Sequence, residues 1–279
     1  MKYFSVTFNL LSRLTIQNTT IMKKAILTFA LGILTTTVSI AQDNKAQNID
    51  ATYVMEVKMD YDQTMKTIPE AYRAQFGPML KAEIDGGIFM TYFFKSNSKN
   101  STFTLEEKVN NGQGGLGIIA QQMAAMDNKP TYKDFTVTPH LYYKEVDMGV
   151  KQYLIKDQIP DYKWKISREK TDIAGYQATK AEGVMMDSIP VTAWYAPAIP
   201  IKDGPTSLAG LPGLIIKAEF EMNGAKMIYT LKDLKISDKD LKIALPTKGE
   251  VVTQDEFMKV VLEIQKKAQE LMGGGVDTK

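Results

Sequence analysis

The chain has 279 residues, with 34 basic and 32 acidic side chains, 44% hydrophobic residues and no cysteine. The absence of cysteine excludes disulfides, thiolate metal sites, cysteine nucleophiles and lipid attachment through an N-terminal cysteine. The length suits one β-rich domain or two small ones, with a core large enough to fold unaided.

The N-terminal segment has the pattern of a secretory signal peptide. A positive start at residues 22–24 precedes an uncharged, mostly apolar run at residues 25–38, and Ser39 and Ala41 are the small residues expected before a cut ahead of Gln42. The run is shorter than the ~20 residues of a membrane span. An uncleaved anchor helix is the alternative interpretation.

The segment also sets the domain boundary. We predict that translation starts at Met22, that residues 1–21 are an upstream extension, and that cleavage near Ala41-Gln42 releases one periplasmic or secreted domain of residues 42–279. Residues 1–41 hold four basic side chains and no acid, which leaves 30 basic and 32 acidic residues in the mature chain. The basic pI therefore gives no support for a nucleic-acid partner, and we expect no stable membrane span after cleavage.

Alternating apolar side chains predict a mainly antiparallel β fold. In residues 52–59, Tyr53, Met55, Val57 and Met59 point to one face, as in a strand with one buried side. Turn residues recur roughly every eight to twelve positions, which is typical of an antiparallel sheet or barrel. The other predicted strands, of which the first two form a hairpin, span residues 88–95, 102–107, 131–137, 141–146, 152–156, 162–167, 176–183, 191–195, 214–222 and 227–234.

Two helices are predicted before the main run of strands. Residues 68–84 repeat apolar side chains at four-residue steps, and Thr67 and Glu70 have the spacing of a capping box. Pro78 is expected to kink or split this helix. Residues 116–126 predict a second, short helix.

The chain ends in a predicted amphipathic helix at residues 253–272. Thr253 and Glu256 have capping-box spacing, and an apolar stripe begins at Phe257. Binding to a membrane surface is one interpretation of the stripe. Docking on the sheet is favoured, because the polar face mixes glutamate with lysine.

The most constrained segment runs from Trp194 to Ile215. Its prolines fix φ and its glycines permit positive φ, so the backbone path is stiff. Asp203 is a charged group inside this stiff span, with Lys202 beside it. The segment is interpreted either as a rigid crossover between strands or as a rim beside a pocket or docking surface.

Five motifs in order resemble the GLPGLI family of exported proteins of Gram-negative bacteria. They are residues 162–166, residues 173–181, Ala193-Trp194-Tyr195, Ile199-Pro200 with Gly204-Pro205, and the hexapeptide at residues 210–215. The resemblance covers about a third of the chain and implies an envelope protein with no assigned activity. Ala178 stands where many members carry a cysteine, so any thiol-based role is absent here.

The order of these motifs is also similar to envelope lipoprotein-carrier proteins. That resemblance implies a half-barrel of antiparallel strands whose helices close a hydrophobic concave face. The predicted fold class is therefore mainly β (α+β), a strongly curved antiparallel sheet or half-barrel with a C-terminal amphipathic helix.

Catalytic and metal-binding patterns are sparse. His140 is the only histidine and follows a Thr-Pro turn, so we interpret it as an exposed loop residue and not a zinc ligand. Residues 112–117 match a dinucleotide pattern without the buried parallel strand that it requires. The acidic pairs at residues 60–62 and 238–240 are interpreted as solvated turns. The 16 methionines could bind Cu(I), but adaptable packing in a core or apolar pocket is the simpler interpretation.

These features favour a non-enzymatic binding or accessory protein of the cell envelope, with no cofactor and no metal. We expect it to hold an apolar or lipid-like ligand, or an outer-membrane partner such as a transporter, against the concave face. A carboxylate-based periplasmic hydrolase is the alternative, and it requires two acids converging in one cleft. The candidate binding rim comprises Trp194, Tyr195, Pro197, Pro200, Asp203, Gly204, Pro205, Gly210, Leu211, Pro212 and Gly213.

Overall fold

A computed structural model describes residues 48–97, 99–107, 117–149, 151–237 and 241–273, except for the side chains of residues 265 and 268–273. The predicted signal segment, residues 112–116 of the dinucleotide pattern and the acidic pair at residues 238–240 lie outside these residues. No helix in the described ranges is long and apolar enough to cross a membrane.

The fold is mostly β, as the sequence predicts, and is built on one sheet of twelve described strands in the order β12-β6-β5-β4-β3-β2-β1-β11-β10-β9-β8-β7. The sheet is not closed into a barrel. Neighbouring strands are antiparallel except β12, which runs parallel to β6. The strands are β1 Asn48–Met59, β2 Ile88–Ser96, β3 Asn100–Leu105, β4 Thr131–Asp134, β5 Leu141–Asp147, β6 Gln152–Gln158, β7 Lys165–Ile173, β8 Tyr176–Met185, β9 Ile189–Ala196, β10 Leu214–Met222, β11 Ala225–Ser237 and β12 Glu250–Val252.

Period-two alternation gives the sheet an inner and an outer face. On β1, Tyr53, Met55 and Val57 are buried on the inner face, while Thr52, Val54 and Glu56 between them are half-buried on the outer face. The register continues this division, because Tyr53 pairs with Tyr92 of β2 and Met55 pairs with Met90. The predicted alternation of β1 is confirmed.

Three elements cover the inner face. One is the connection at residues 197–213 between β9 and β10, called here the brace loop. Another is a group of three helices: α1 Tyr61–Thr67, α2 Glu70–Gly86 and α3 Ile118–Met126. The last is α4, Gln254–Gly273, whose Phe257 packs edge-on against Tyr153 of β6. Ile264, further along the predicted stripe of α4, is exposed.

The predicted start of α2 is wrong. Thr67 does not cap it, because it lies in the last turn of α1 and donates its hydroxyl to the Thr64 carbonyl at 2.7 Å. Pro69 forces Ile68 into an extended conformation and itself occupies the N-cap position without a side-chain cap. Pro78 does not split α2, which continues through it to Gly86.

Two predicted strands also have different limits. The strand predicted to reach residue 137 ends at Asp134, whose carboxylate accepts hydrogen bonds from the backbone and hydroxyl of Thr136 and turns the chain. The strand predicted at residue 162 begins at Lys165, because Lys163 takes a positive φ of 51° that is incompatible with a strand. The hairpin of β2 and β3 is confirmed.

The outer face is largely polar and charged, with exposed aromatic side chains at Phe89 and Phe93. Glu219 of β10 forms ion pairs with Lys226 and Lys217, and their charges hold its pKa below the ordinary value although burial acts in the opposite direction. Around Phe93 of β2 lies a shallow groove of about 510 Å³, lined by Asp50, Phe93, Lys95, Thr102 and Thr104.

The capping box of α4 is confirmed and can be tested directly. Thr253 Oγ1 accepts from the Glu256 backbone N–H at 3.2 Å, and Glu256 accepts from the Thr253 backbone N–H at 2.8 Å. We expect Thr253→Ala to lower the free energy of unfolding by about 1 kcal/mol, measured by urea denaturation. Thr247→Ala, at an exposed position outside any helix or strand, is the control for loss of a threonine alone; equal losses in both variants would contradict the capping role.

Candidate functional site

The brace loop is fixed by backbone hydrogen bonds at both ends. Leu214 donates to the Ile199 carbonyl and Ile215 donates to the Asp203 carbonyl, both at 2.9 Å. Gly210 donates to the Lys202 carbonyl at 3.1 Å. The loop therefore folds back on itself and enters β10 along a single defined path.

Two glycines of the loop are required by close approach. A Cβ added at Gly213 would lie 2.4 Å from the carbonyl oxygen of Ala196, and one added at Gly204 would lie 2.7 Å from the Cβ of Ile215. Both contacts are far inside van der Waals distance. Larger residues at these positions would push the loop away from the strands that it joins.

A buried ion pair attaches the loop to the opposite half of the sheet. Lys133 of β4 pairs with Asp203 of the loop, and both side chains are 0% exposed. The Lys133 ammonium also donates to the carbonyls of Gly204 at 2.7 Å and Leu208 at 3.1 Å. Three acceptors thus surround one cation, which satisfies all three of its donors.

Burial sets the electrostatics of this cluster. It lowers the pKa of the Lys133 ammonium, while the charge of Asp203 and its hydrogen bond act in the opposite direction. It raises the pKa of Tyr53 well above the ordinary value, and the negative charge of Asp203 adds to that rise. Tyr53 keeps its proton and donates it to the Ile215 carbonyl at 2.8 Å.

Two aromatic residues hold the far side of the loop. The Trp164 indole donates to the Ala209 carbonyl at 2.9 Å, and the Tyr162 hydroxyl lies 2.9 Å from Ser207 Oγ. Their rings stack on each other with centroids 5.2 Å apart. The short segment before β7 therefore anchors the loop through Tyr162 and Trp164, in addition to Lys133 and Tyr53.

The residues of the predicted rim separate into an interior and an exterior set. Trp194 and Tyr195 are neighbours on β9 and point to opposite faces; Tyr195 is buried and Trp194 is half-buried, between Lys180 and Lys217 in register. Asp203, Gly204, Pro205, Leu211 and Gly213 are buried, whereas Pro197, Pro200, Gly210 and Pro212 are exposed. A binding role for this rim stays a prediction.

Sequence reasoning missed the residues that hold the loop, which are Tyr53, Lys133, Tyr162 and Trp164. Asp203 was the available signal, because a carboxylate in a stiff, apolar stretch needs a cation when it is buried. The adjacent Lys202 is exposed and does not supply it. Many lysines lie on predicted strands, so sequence could not single out Lys133.

Asp60, Glu56 and His140 make structural contacts. Asp60 caps α1 by accepting from the Gln63 backbone N–H at 2.8 Å, and Glu56 pairs with Lys58 on the outer face. His140 is exposed, with Nδ1 2.8 Å from the Val137 carbonyl oxygen. In the described ranges no cluster of histidine, aspartate and glutamate could hold a metal ion, and nothing there points positively to an enzymatic activity.

Methionines line the inner face next to the helices. Met55, Met90 and Met227 come from three adjacent strands and are almost fully buried. Met65 of α1 and Met123 of α3 pack on the same apolar cluster. The side chains on this part of the inner face can therefore repack, because a thioether side chain adapts to irregular space.

The segment around the brace loop is similar to a family described as a protein of unknown function (Porph_ging), whose model matches residues 181–217. No curated protein matches the chain. Among solved structures, PNGF-II is similar in two crystal forms, with space groups C2 and P21. Identity is 14% and 15%, TM-score 0.46 and 0.45, and each match covers 78% of this chain and 33% of that chain.

An uncharacterized conserved protein from Thermus thermophilus is also similar, at 8% identity and a TM-score of 0.36, over 75% of this chain and 91% of that chain. The chain spans about a third of the length of PNGF-II. The family match covers the end of β8, all of β9, the brace loop and the start of β10.

The buried ion pair makes a stability prediction. Lys133→Met leaves the Asp203 carboxylate buried without a cation, and we expect the free energy of unfolding to fall by about 3–5 kcal/mol in urea denaturation. Lys202→Met, at the exposed neighbour of Asp203, should change it by less than about 0.5 kcal/mol. Similar small effects in both variants would contradict the role given to Lys133.

The Tyr162 phenol makes a pH prediction. Burial raises its pKa to about 12, while its hydrogen bond with Ser207 acts the other way. Since the unfolded pKa is about 10, its stabilising contribution is complete below pH ~10 and is lost as the pH rises towards 12. We expect Tyr162→Phe to reduce the number of protons released on unfolding between pH ~10 and 12 by up to one. The free energy of unfolding should then fall less steeply with pH in this range. The same change with Tyr72→Phe, a 54% exposed tyrosine, would contradict this assignment.

Proposed function

We propose that the chain is an exported, non-enzymatic binding protein of the cell envelope that holds an apolar, lipid-like ligand between the inner face of the sheet and helices α1–α3. The observation that carries this proposal is the methionine-lined apolar layer under a helical cover that buries few of its own side chains. The brace loop serves as a rigid support for the strands that carry this layer.

The sheet side of the layer is continuous and apolar. Met55, Ile88, Met90 and Met227 are at most 7% exposed and come from β1, β2 and β11. The aromatic side chains of Tyr92 and Tyr229 border them, with ring centroids 5.8 Å apart. Such a surface offers an acyl chain dispersion contacts along its whole length and adapts to chains of different shape.

The helical side is thinly attached. No residue of α1 is buried, and α2 buries only Gly77 and Leu80. The α3 helix is held through Glu83 of α2, whose carboxylate accepts from the backbone N–H groups of Ile119 and Ala120 at 3.0 and 2.9 Å. The helices are thus tied to one another, and most of their apolar side chains, such as Met65 and Met123, are only partly buried against the sheet. We infer that they can move as a cover at a smaller cost than the fully buried strands.

The location and family are part of the same proposal. The signal-peptide pattern supports export, and the match at residues 181–217 includes the Gly210–Ile215 hexapeptide. The backbone constraints at Gly204 and Gly213 give a physical reason for a fixed proline-glycine sequence there. We propose on these grounds that the chain is a GLPGLI-type envelope protein.

The test is native mass spectrometry of protein purified from the periplasmic fraction, followed by solvent extraction and uptake of a fluorescent fatty acid. We expect a bound lipid-like species and saturable uptake. Leu80→Trp, which places a larger side chain on the buried face of α2, should weaken uptake at least tenfold, or about 1.4 kcal/mol. Met79→Trp, at an exposed position beside it in the same helix, is the matched control.

Circular dichroism and thermal unfolding of both variants would show that the fold is retained. Purified protein that carries nothing and takes up no fatty acid would reject the proposal. Equal uptake by the two tryptophan variants would place any binding elsewhere.

A further inference from the structure

The Lys133–Asp203 pair has surroundings suited to a covalent reaction that the proposed function does not use. Both side chains are fully buried, and the Phe94 ring lies 5.9 Å from the ammonium. An ion pair shielded from water is costly to maintain as separated charges. A reaction that neutralises the ammonium and the carboxylate together and releases water is favoured in such surroundings.

We propose that Lys133 and Asp203 form an intramolecular amide bond, joining β4 to the brace loop covalently. The bond would link Nζ of Lys133 to Cγ of Asp203 and would be made by the chain itself as it folds. It needs no oxidant, cofactor or second protein.

The atoms and charges of the step balance. A proton passes from the ammonium to the carboxylate, which gives an amine and a carboxylic acid. The amine lone pair attacks Cγ, forming the C–N bond, and Oδ2 receives both the carboxyl proton and a second proton from Nζ. That oxygen leaves as water when its bond to Cγ breaks, so one ammonium and one carboxylate become one amide and one water.

The hydrogen bonds of the pair suit each stage of this step. The carbonyls of Gly204 and Leu208 accept hydrogen bonds from two of the Nζ protons. The lone pair that Nζ gains on deprotonation therefore points towards Asp203. The Gly204 backbone N–H donates to Asp203 Oδ1 at 2.7 Å and can stabilise the negative charge that develops there. Asp203 Oδ2 is buried and has no hydrogen-bond partner in the described part of the chain, so no hydrogen bond must be broken before it leaves.

The loop geometry holds the reactants together before the step. The backbone of Asp203 is held by the hydrogen bond from Ile215 and the bridge to Ala209, and its carboxylate is held beside Lys133 by the Gly204 N–H. Confinement of this kind replaces a bimolecular encounter with a unimolecular reaction at high effective concentration.

The test is the mass of the denatured, intact protein, purified as the full chain with its N-terminus assigned by peptide mapping. We expect a mass lower than the sequence requires by one water molecule. Trypsin should fail to cut after Lys133 and should yield a branched peptide containing Lys133 and Asp203. The full sequence mass in the wild-type protein would overturn the proposal.

Aspartate followed by glycine can also lose water by closing on its own backbone, and Asp203-Gly204 is such a pair. That product is a linear peptide which regains water in mild alkali, and finding only this product would also overturn the proposal. Asp203→Ala and Lys133→Arg should both restore the full mass. Asp203→Asn should give the same amide by losing ammonia, and Lys202→Arg, the exposed neighbour, should keep the deficit.

Discussion

The buried contact between Lys133 and Asp203 is the constraint on which the arrangement of the chain depends. It joins β4 to a loop that leaves β9 and returns as β10, strands on the other side of β1, β2 and β3 in the sheet. Before the proposed amide forms, two charges removed from water stabilise a fold only when they find partners, and here the ammonium has three acceptors. The pair thus selects one position for the loop over others that would leave a charge unpaired.

The remaining anchors of the brace loop act on the same segment from other directions. Tyr53 bonds the carbonyl of Ile215 from the sheet, and Trp164 bonds the carbonyl of Ala209 from the segment before β7. The loop backbone has few N–H donors for these buried carbonyls, because its four prolines carry none. Side chains from distant strands supply the missing donors, so the loop is part of the core and its apolar residues Ile199, Leu208 and Leu211 are fully buried.

The two ends of the inner face are built differently, and the difference matters for function. Under the brace loop, the layer is fixed by an ion pair and by specific hydrogen bonds. Under α1–α3, the sheet presents methionines, α2 and α3 are joined through Glu83, and Asp127 at the end of α3 accepts from the Tyr92 hydroxyl of β2. The proposed uptake of an apolar ligand would use the half with methionines and leave the half under the brace loop unchanged.

Local sequence determined the elements whose signals are contained in a few neighbouring residues. The alternation of β1, the hairpin of β2 and β3 and the capping box at Thr253 all follow from side chains within a few positions of one another. The start of α2 was mispredicted, because the effect of Pro69 on Ile68 outweighed the capping spacing of Thr67 and Glu70.

What only the tertiary structure decided is which distant groups meet. The parallel pairing of β12 with β6 joins residues far apart in the chain, and the choice of Lys133 over Lys202 for Asp203 depends on sheet order. The stiffness of the proline-glycine segment was readable from the sequence, since φ restrictions belong to each residue. Its burial was not, because burial depends on the donors that other strands bring to it.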